Sequence, residues 1–558
     1  MLPSSRGTLI FSRVFAWFFQ SIAPLSIAYC LLVLFILSPS QRLPIALEVW
    51  LLAEALFFLL VYLPMSHFIH DPAMKVVGID RWQRRELFKK CITTITDPKR
   101  YISLWHHGAK IEDIGRENVK EWICWAFLDK STVGPDEEDE LEEYVDLLET
   151  LLPKGTLPSG NKFPLGKTPG IQTLRFSLDP VNITHKPLLF YVLGVGGADI
   201  YVAFIMWYHG YQHHATKQWF ASFPFRPQTL LSPHSSPAQH ISYWYRPHTS
   251  KTRLPILYIH GIGILHTYGD FFAELANRLD QDPEEDGQIG VIVLEILPIS
   301  FRMTHAALSP DDMRSEIRSI LDQHSWSRFV LMANSYGTVI STQLLRSPSL
   351  NSRIGDVIFV DPVAFLLHLP DMTYNFTRRP PKSASEHQLY YFASTDMGAA
   401  HTLARRFSWT DNILWKEDFE GRRWTVMLSE LDIIVAVDAI GSYLTRPEGL
   451  KALQDDRLES EWKTTKWTGG KLDVMWLKGL NHAEVFDTKR DRKMVIDIAM
   501  SYSSEYAKMV EKSLLFKASP ARFASAFGLD NTLDWDHGEL DTSLRPKAKN
   551  SLSKRRFS

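Results

Sequence analysis

The chain has 558 residues, too many for one ordinary domain, so two or three folded units are expected. Hydrophobic residues make up 45% of it and 17 residues are Trp, which excludes a largely disordered protein. The formal net charge of -2 provides no basic field, and we therefore expect no nucleic-acid partner. The three cysteines, Cys30, Cys91 and Cys124, give neither a disulfide framework nor a metal-binding spacing.

The first 70 residues are predicted to anchor the chain in a membrane through one or two helices. Residues 14–37 carry no charge and are long enough to cross a bilayer. The second apolar run, residues 45–63, contains Glu48 and Glu54. Each carboxylate costs about 2.5–3.5 kcal/mol at the membrane centre unless it is paired or near an end. Because cations precede the first run and follow the second, the positive-inside rule predicts a hairpin with both outer flanks in the cytosol.

Residues 71–239 are predicted to form a mainly helical region. Its third apolar stretch, residues 187–208, is long enough to span a bilayer but contains several glycines and Asp199. These features favour a buried or membrane-surface helix. The stretch ends at His209, with His213 and His214 close behind. We interpret these histidines as residues of the membrane interface, and we predict no metal site.

The centre of the sequence pattern is a serine that follows an apolar run. Residues 329–332 are apolar and lead into Ala333-Asn334-Ser335-Tyr336-Gly337. This pattern predicts a strand, a very tight turn and a helix, with Ser335 at the apex, where the helix N-terminus favours developing negative charge. Such a turn needs small residues on both sides. Gly337 meets that requirement fully, and Ala333 meets it in part.

From residue 240 onward, predicted strands alternate with helices. The strands are expected at residues 241–245, 255–259, 290–297, 329–332, 356–360, 424–428 and 472–477. This alternation predicts a mostly parallel α/β sheet with helices on both faces, over residues 240–515. Sites in such sheets lie at the carboxyl ends of the strands. The polar tail, residues 516–558, is expected to be flexible.

Three side chains that follow strand ends are predicted to form a catalytic set. A serine hydroxyl such as that of Ser335 is a poor nucleophile until a base takes its proton. His482 can act as that base if an acidic group holds its ring in the right tautomer. Asp432 is our choice for the acid because it follows the strand two after the turn. Asp361, which also ends a strand, is the alternative.

A second turn is predicted to bind the oxyanion. The strand at 255–259 runs into His260-Gly261-Ile262-Gly263, a glycine-flanked turn that exposes backbone N–H groups. We expect donors from Tyr336 and from Ile262, or from its neighbours Gly261 and Gly263. The chain order of serine, acid and histidine is that of the α/β-hydrolases.

Residues 240–515 resemble a serine-type α/β-hydrolase domain, with HGIG at 260–263, ANSYG at 333–337, SELD at 429–432 and NH at 481–482. The wider pattern, with YWYRPH, LPILYIHGIG, VDPVAF and GLNHAEVF behind an apolar N-terminus, is similar to membrane-associated fungal α/β-hydrolases of largely unassigned substrate. The resemblance implies that the insertion at residues 363–420 is a helical cap over the nucleophile.

These features together predict an integral membrane serine hydrolase. It would cleave a carboxylic ester or lipid acyl ester through an acyl-enzyme intermediate, with an apolar ester or acyl substrate and without a metal or organic cofactor. Its hydrolase domain is expected in the cytosol, at an endomembrane such as the endoplasmic reticulum. The alternatives are an acyltransferase or lyase-type tailoring enzyme on the same fold, and a catalytically inactive membrane scaffold. The sequence does not predict the oligomeric state.

Overall fold

The computed structural model describes residues 5–74, 78–157, 160–218, 220–281, 287–419, 421–445 and 461–518, with side chains up to residue 504. Among the described residues, those up to Ser504 form one compact unit, and residues 505–518 belong to a second. The predicted flexible tail lies outside the described residues from residue 519 onward.

The described part of the chain contains nine strands in a single sheet. They are β1 (Gln212–Ala215), β2 (His234–Ser235), β3 (Ser242–Arg246), β4 (Ile256–Ile259), β5 (Val291–Glu295), β6 (Phe329–Asn334), β7 (Ile354–Val360), β8 (Trp424–Ser429) and β9 (Leu472–Leu477). The strand order is β2-β1-β3-β5-β4-β6-β7-β8-β9. All pairs from β5 to β9 are parallel, whereas β3 runs antiparallel to β1 and β5.

The helices lie between and around these strands. They are α1 (Arg6–Phe35), α2 (Ile45–Phe57), α3 (Leu63–Phe68), α4 (Arg81–Ile92), α5 (Pro98–Trp105), α6 (Arg116–Leu128), α7 (Glu138–Leu151), α8 (Gly196–Tyr208), α9 (Pro227–Leu231), α10 (Gly269–Asp280), α11 (Pro310–Gln323), α12 (Gly337–Leu345), α13 (Pro348–Asn351), α14 (Pro370–Thr377), α15 (Ala384–Gln388), α16 (Met397–Arg405), α17 (Trp409–Asn412), α18 (Val437–Thr445) and α19 (Lys489–Ala518). π-Helical turns occur at Phe58–Tyr62, Phe190–Val195 and Leu389–Ser394.

The predicted fold class is confirmed: this is an α/β-hydrolase fold with apolar helices at the N-terminus. All seven predicted strands are present, with bounds within two residues of those expected. The central strands β4, β5 and β6 are buried along their whole length. Continuous apolar runs are typical of parallel strands whose two faces are both covered.

The sheet starts earlier in the chain than predicted. The strands β1 and β2 precede residue 240, which was expected to open the hydrolase domain. Both are short, with the sequences QHHA in β1 and HS in β2, so they carry no apolar alternation that would indicate a strand. They are held by neighbours instead, since β1 pairs antiparallel with β3 and parallel with β2.

The helical region before the sheet shares its apolar core. Trp122 and Tyr144, from α6 and α7, belong to the same buried cluster as Leu257 of the sheet. At the other side of this region, the rings of Phe127 and Trp409 lie 5.2 Å apart, so α6 contacts the cap insertion. The helices α4 to α7 are therefore part of the hydrolase unit rather than a separate layer.

Three helical segments are long and apolar enough to cross a membrane: Arg6–Phe35, Ile45–Phe68 and Phe190–Tyr208. The two acidic residues of the second segment are both hydrogen-bonded. Glu54 accepts from the backbone N–H groups of residues 188 and 189, each at 2.8 Å, and so caps the start of the third segment. Glu48 accepts from the Tyr29 hydroxyl at 2.7 Å. These bonds offset the cost of placing carboxylates in an apolar helix.

The third segment packs on the hydrolase unit along one side. Its buried Asp199 accepts two hydrogen bonds from Arg302, each at 2.8 Å. On the opposite side, Ile200 and Phe204 are 58% and 64% exposed. One side of this helix is thus covered by protein and the other is apolar and uncovered, and its place at a membrane surface stays a prediction.

The histidines after this helix lie elsewhere than predicted. His213 and His214 are in β1, and both are buried. The Nε2 atom of His213 lies 3.0 Å from a carboxylate oxygen of Glu295. The prediction of interfacial histidines is therefore wrong for His213 and His214, because strand pairing draws these two side chains into the core.

Candidate active site

The turn between β6 and α12 has the geometry of a nucleophile elbow. Ser335 is at φ = 50°, a left-handed conformation that is strained for a residue with a side chain. Its backbone N–H donates to the carbonyl of Val360 at 3.0 Å, which ties the turn to the neighbouring strand. A Cβ atom added at Gly337 would lie 2.2 Å from the carbonyl oxygen of Ile259. Only glycine fits where the helix passes this close to β4.

We expect Gly337→Ala to destabilise the protein by about 3 kcal/mol, since the added methyl group meets backbone rather than a movable side chain. The measurement is the midpoint of thermal unfolding in detergent. Gly197→Ala is the matched control, because an added Cβ there has no neighbour within 4 Å. Equal midpoints for the two variants would contradict the tight turn.

The structure brings together three of the predicted side chains. The Nε2 atom of His482 lies 2.8 Å from Ser335 Oγ, and its Nδ1 atom lies 2.6 Å from Asp432 Oδ2. An ionised carboxylate only accepts hydrogen bonds, so the proton of the neutral ring belongs on Nδ1. The Nε2 lone pair then faces the serine hydroxyl and can accept its proton.

Backbone hydrogen bonds hold the acid and the base in place. The loops after β8 and β9 are joined because the N–H of Leu431 donates to the carbonyl of Leu480 at 2.8 Å. Within the first loop, the Ile434 N–H donates to Asp432 Oδ1 at 2.7 Å. One oxygen of the Asp432 carboxylate therefore accepts a hydrogen bond from its own loop, and the other contacts His482.

The charges around His482 favour its protonated form. Burial on its own lowers the pKa of the imidazole, but the charge and hydrogen bond of Asp432 outweigh it, and the charge of Asp361 adds to the same effect. The pKa of His482 is consequently raised above its ordinary value.

Asp361, the alternative acid, lies beside these three side chains but bonds to Ser429 and Ala483. Its carboxylate accepts from the N–H and hydroxyl of Ser429 at 2.8 and 2.9 Å, and from the N–H of Ala483 at 2.7 Å. Burial raises the pKa of this carboxyl group. The three bonds connect the end of β8 to the residue that follows His482. Asp432 is therefore the carboxylate that contacts the ring of His482, whereas Asp361 connects the two loops.

Three of the four predicted oxyanion donors remain available, since among the described residues the backbone N–H groups of Gly261, Ile262 and Tyr336 have no backbone acceptor. Gly261 faces the nucleophile, since a Cβ atom added there would lie 2.7 Å from Ser335 Cβ. The N–H of Gly263 donates to the carbonyl of Ile299 at 2.9 Å. The prediction for Gly263 therefore needs correction: its N–H is already used to hold the turn.

Three further side chains, for which the sequence predicted no role, stabilise this site through hydrogen bonds. The Tyr268 hydroxyl donates to Asn334 Oδ1 at 2.7 Å, and Asn334 Nδ2 donates to the Val360 carbonyl at 3.0 Å. The buried ring of His260 accepts from the N–H of Ile296 at 3.0 Å. Burial lowers the pKa of His260 to about 4, so it stays neutral and keeps this bond. Asn334 and His260 lie inside the two motifs, whereas Tyr268 has no signal in the sequence.

A cavity of about 230 Å³ adjoins the serine. Its walls come from the oxyanion turn, the loop after β5, the cap and the loops that carry the acid and the base. The apolar lining residues are Ile262, Ile264, Phe301, Phe376, Leu389, Ala393, Ile434 and Phe486, and Ser335 and His482 lie at the polar end. The insertion at residues 363–420 is helical, and Phe376, Leu389 and Ala393 are its contributions to this cavity.

A second cavity, of about 360 Å³, lies among aromatic residues of α5, α6 and α17, including Trp105, Trp122 and Trp409. It shares no lining residue with the cavity at Ser335. The second cavity is larger than the one at Ser335, but Ser335 and His482 line the smaller one.

The strand order and the hydrogen-bonded Ser–His–Asp set define a protein of the α/β-hydrolase fold with a serine-centred site. No protein-family model and no curated protein sequence matches the chain. Among solved structures, it is similar to a membrane phospholipase A described as a bacterial virulence factor (11% identity, TM-score 0.35, covering 56% of this chain and 94% of that one). It is also similar to an esterase from Pyrobaculum calidifontis, with 12% identity and a TM-score of 0.34, covering 57% of this chain and 94% of that one. A thermophilic esterase from Thermogutta terrifontis has 14% identity and a TM-score of 0.29, covering 47% of this chain and 95% of that one. All three TM-scores are low, so the fold of this chain is assigned from its own strand order.

Proposed function

We propose that the protein is a membrane-anchored serine hydrolase that cleaves a carboxylic ester or a lipid acyl ester. The observation that carries this proposal is the pair of hydrogen bonds from His482, at 2.8 Å to Ser335 Oγ and 2.6 Å to Asp432 Oδ2. An apolar cavity next to a membrane-type N-terminus suits an ester with an apolar acyl chain.

In the first half of the cycle, Ser335 Oγ attacks the ester carbonyl carbon while its proton passes to His482 Nε2. The negative charge that develops on the carbonyl oxygen is stabilised by the N–H groups of Ile262 and Tyr336. His482 then gives its proton to the departing alcohol, and the acyl group remains on Ser335. Asp432 stabilises the imidazolium that exists between these two steps.

In the second half, a water molecule attacks the acyl-serine while His482 takes one of its protons. Collapse of the second tetrahedral intermediate returns that proton to Ser335 Oγ and releases the carboxylic acid. The net reaction is ester plus water to acid plus alcohol, and these steps use no metal or organic cofactor. If an alcohol instead of water enters, the same site transfers the acyl group.

The test is hydrolysis of p-nitrophenyl esters, from acetate to palmitate, by the detergent-purified protein. We expect turnover, with acid and alcohol formed in equal amounts. Recovery of the acyl group on an added alcohol, rather than as free acid, would indicate an acyltransferase. No turnover and no reaction with a fluorophosphonate would indicate a catalytically inactive scaffold.

The rate should fall on acidification with a midpoint above pH 6.5, the ordinary pKa of histidine. Protonated His482 cannot accept the serine proton, and its pKa is raised, so the inactive form builds up at a higher pH than for a free imidazole. The measurement is kcat/KM against pH. In Asp432→Asn the midpoint should move to lower pH, because the charge that stabilises the imidazolium is gone. A midpoint below 6.5 in the wild type would contradict this account.

We place the hydrolase domain on the cytosolic side of an endomembrane such as the endoplasmic reticulum, since cations flank both ends of the helical hairpin. Asn182 and Asn375 stand in glycosylation sequons. We expect neither to carry a glycan, so treatment with an N-glycosidase should leave the electrophoretic mobility unchanged. A shift that Asn375→Gln removes would place the domain in the lumen.

A further inference from the structure

One short element separates the cavity at Ser335 from the apolar N-terminal helices. This element is the π-helical turn Leu389–Ser394, which we call the cap wall. Leu389 and Ala393 line the cavity. Between them in sequence, the ring of Phe392 lies 6.1 Å from Phe15 of α1 and 5.9 Å from Phe190. One layer of side chains thus divides the substrate cavity from the helices predicted to lie in the membrane.

A second apolar cluster continues past the cap wall to the oxyanion turn. It includes Phe57 and Tyr62 from the second membrane-type segment and Phe190 from the third. It also includes Ile264, which lines the cavity, and Met397 of the cap. The cavity therefore has apolar contact with the membrane-type helices at two of its walls.

The cap wall lies close to one end of α1. Just before it, His387 Nε2 is 3.0 Å from Nε of Arg13, an exposed cation. Phe15 and Phe19 follow Arg13 by two and six residues, which is within about 9 Å along a helix axis. In a bilayer this is the depth of the boundary between headgroups and acyl chains. The C-terminal end of the cap wall is tied to protein, since the N–H of Thr184 donates to the carbonyl of Thr395 at 3.0 Å.

The size of the cavity limits what can fit inside it. At about 230 Å³ it holds roughly eight groups of the size of a water molecule or a methylene. A membrane lipid is several times larger, so only part of one acyl chain and the ester group could be enclosed. The rest of the molecule would need an apolar surface directly outside, and the surface across the cap wall is that of α1 and the third segment.

We propose that the substrate is an ester dissolved in the bilayer, and that its acyl chain reaches Ser335 from the membrane across the cap wall. The inference rests on the proposed serine chemistry and adds the source of the substrate and its route. The cap wall is a π-helical turn, and such turns occur frequently at functional sites. The ring of Phe392 lies between the cavity and the membrane-type helices, and this residue controls the passage of the acyl chain.

The test compares two fluorophosphonates on the full-length protein in phosphatidylcholine vesicles, one with a hexadecyl chain and one with an ethyl chain. Both react by the same step: Ser335 Oγ attacks phosphorus, fluoride leaves and His482 takes the proton. We expect Phe392→Ala to raise the hexadecyl rate at least three-fold and Phe392→Trp to lower it at least three-fold. The ethyl rate should stay within two-fold of wild type in both variants, which also shows that the site is folded.

Phe204→Ala is the matched control, because Phe204 is an exposed ring of α8 that lies outside the cap wall. It should leave both rates unchanged. Equal changes of the hexadecyl and ethyl rates in the Phe392 variants would overturn the membrane route, as would a hexadecyl rate that neither variant alters. Absence of labelling by either probe in the wild type would be a different result: it would overturn the serine chemistry itself, and the route with it.

Discussion

Ser335→Ala is expected to abolish ester hydrolysis, with a loss in kcat/KM on the order of 10³-fold or more. Without the hydroxyl, no acyl-enzyme can form, and His482 has no proton to take. The fold should be retained, because Ala is as small as Ser and the strained turn at φ = 50° is held by the backbone bond to Val360. The measurement is hydrolysis of the best p-nitrophenyl ester, with the thermal midpoint recorded on the same sample.

Ser341→Ala is the matched control for that experiment. Ser341 lies on α12 six residues after Ser335 and is buried, and its hydroxyl donates to the carbonyl of Gly337 at 2.9 Å. Its removal should leave kcat/KM within a few-fold of wild type. Substantial hydrolysis by Ser335→Ala, at a normal thermal midpoint, would mean that another residue is the nucleophile.

Asp432→Asn is expected to lower kcat by about 10³ to 10⁴-fold. The amide N–H₂ would donate to His482 Nδ1 and so favour the tautomer with its proton on Nε2. That tautomer offers Ser335 a donor where a base is needed. The measurement is kcat at a pH well above the acid limb, so that protonation of the ring does not contribute to the loss.

Asp361→Asn separates the two candidate acids. The variant keeps one accepting oxygen but loses at least one of the bonds to Ser429 and Ala483, so the main expected effect is on stability. We expect a lower thermal midpoint and a loss in kcat of about 30-fold or less, since His482 keeps Asp432. A larger loss of activity than in Asp432→Asn would show that Asp361 is the acid.

The parts of the fold that could be predicted are those that depend on local patterns. Fully buried parallel strands such as β4 and β6 are continuous apolar runs, and the turn at Ser335 needs a small residue at 337 whatever surrounds it. Parallel strands also end at the same edge of a sheet. Three polar residues that follow such strands were therefore expected to meet, and the structure places Ser335, Asp432 and His482 within hydrogen-bond distance.

The parts that could not be predicted depend on partners far away in the chain. Nothing local shows that the short polar strand β1 pairs with β3, or that His213 meets Glu295 in the core. The sequence predicts Gly263 as an oxyanion donor, but in the structure its N–H donates to the carbonyl of Ile299. The role of Asp361 as a connection between two loops is hidden for the same reason, because each of its three bonds spans more than 60 residues.

The most direct measurement is to locate the phosphonyl group after the protein has reacted with an ethyl fluorophosphonate. Tryptic peptide 329–346 contains both Ser335 and Ser341, so fragmentation in the mass spectrometer has to tell them apart. We expect one phosphonyl group per chain, on Ser335, and none after heat denaturation or in His482→Ala. A group on any other residue, or active protein that hydrolyses esters without becoming modified, would contradict it.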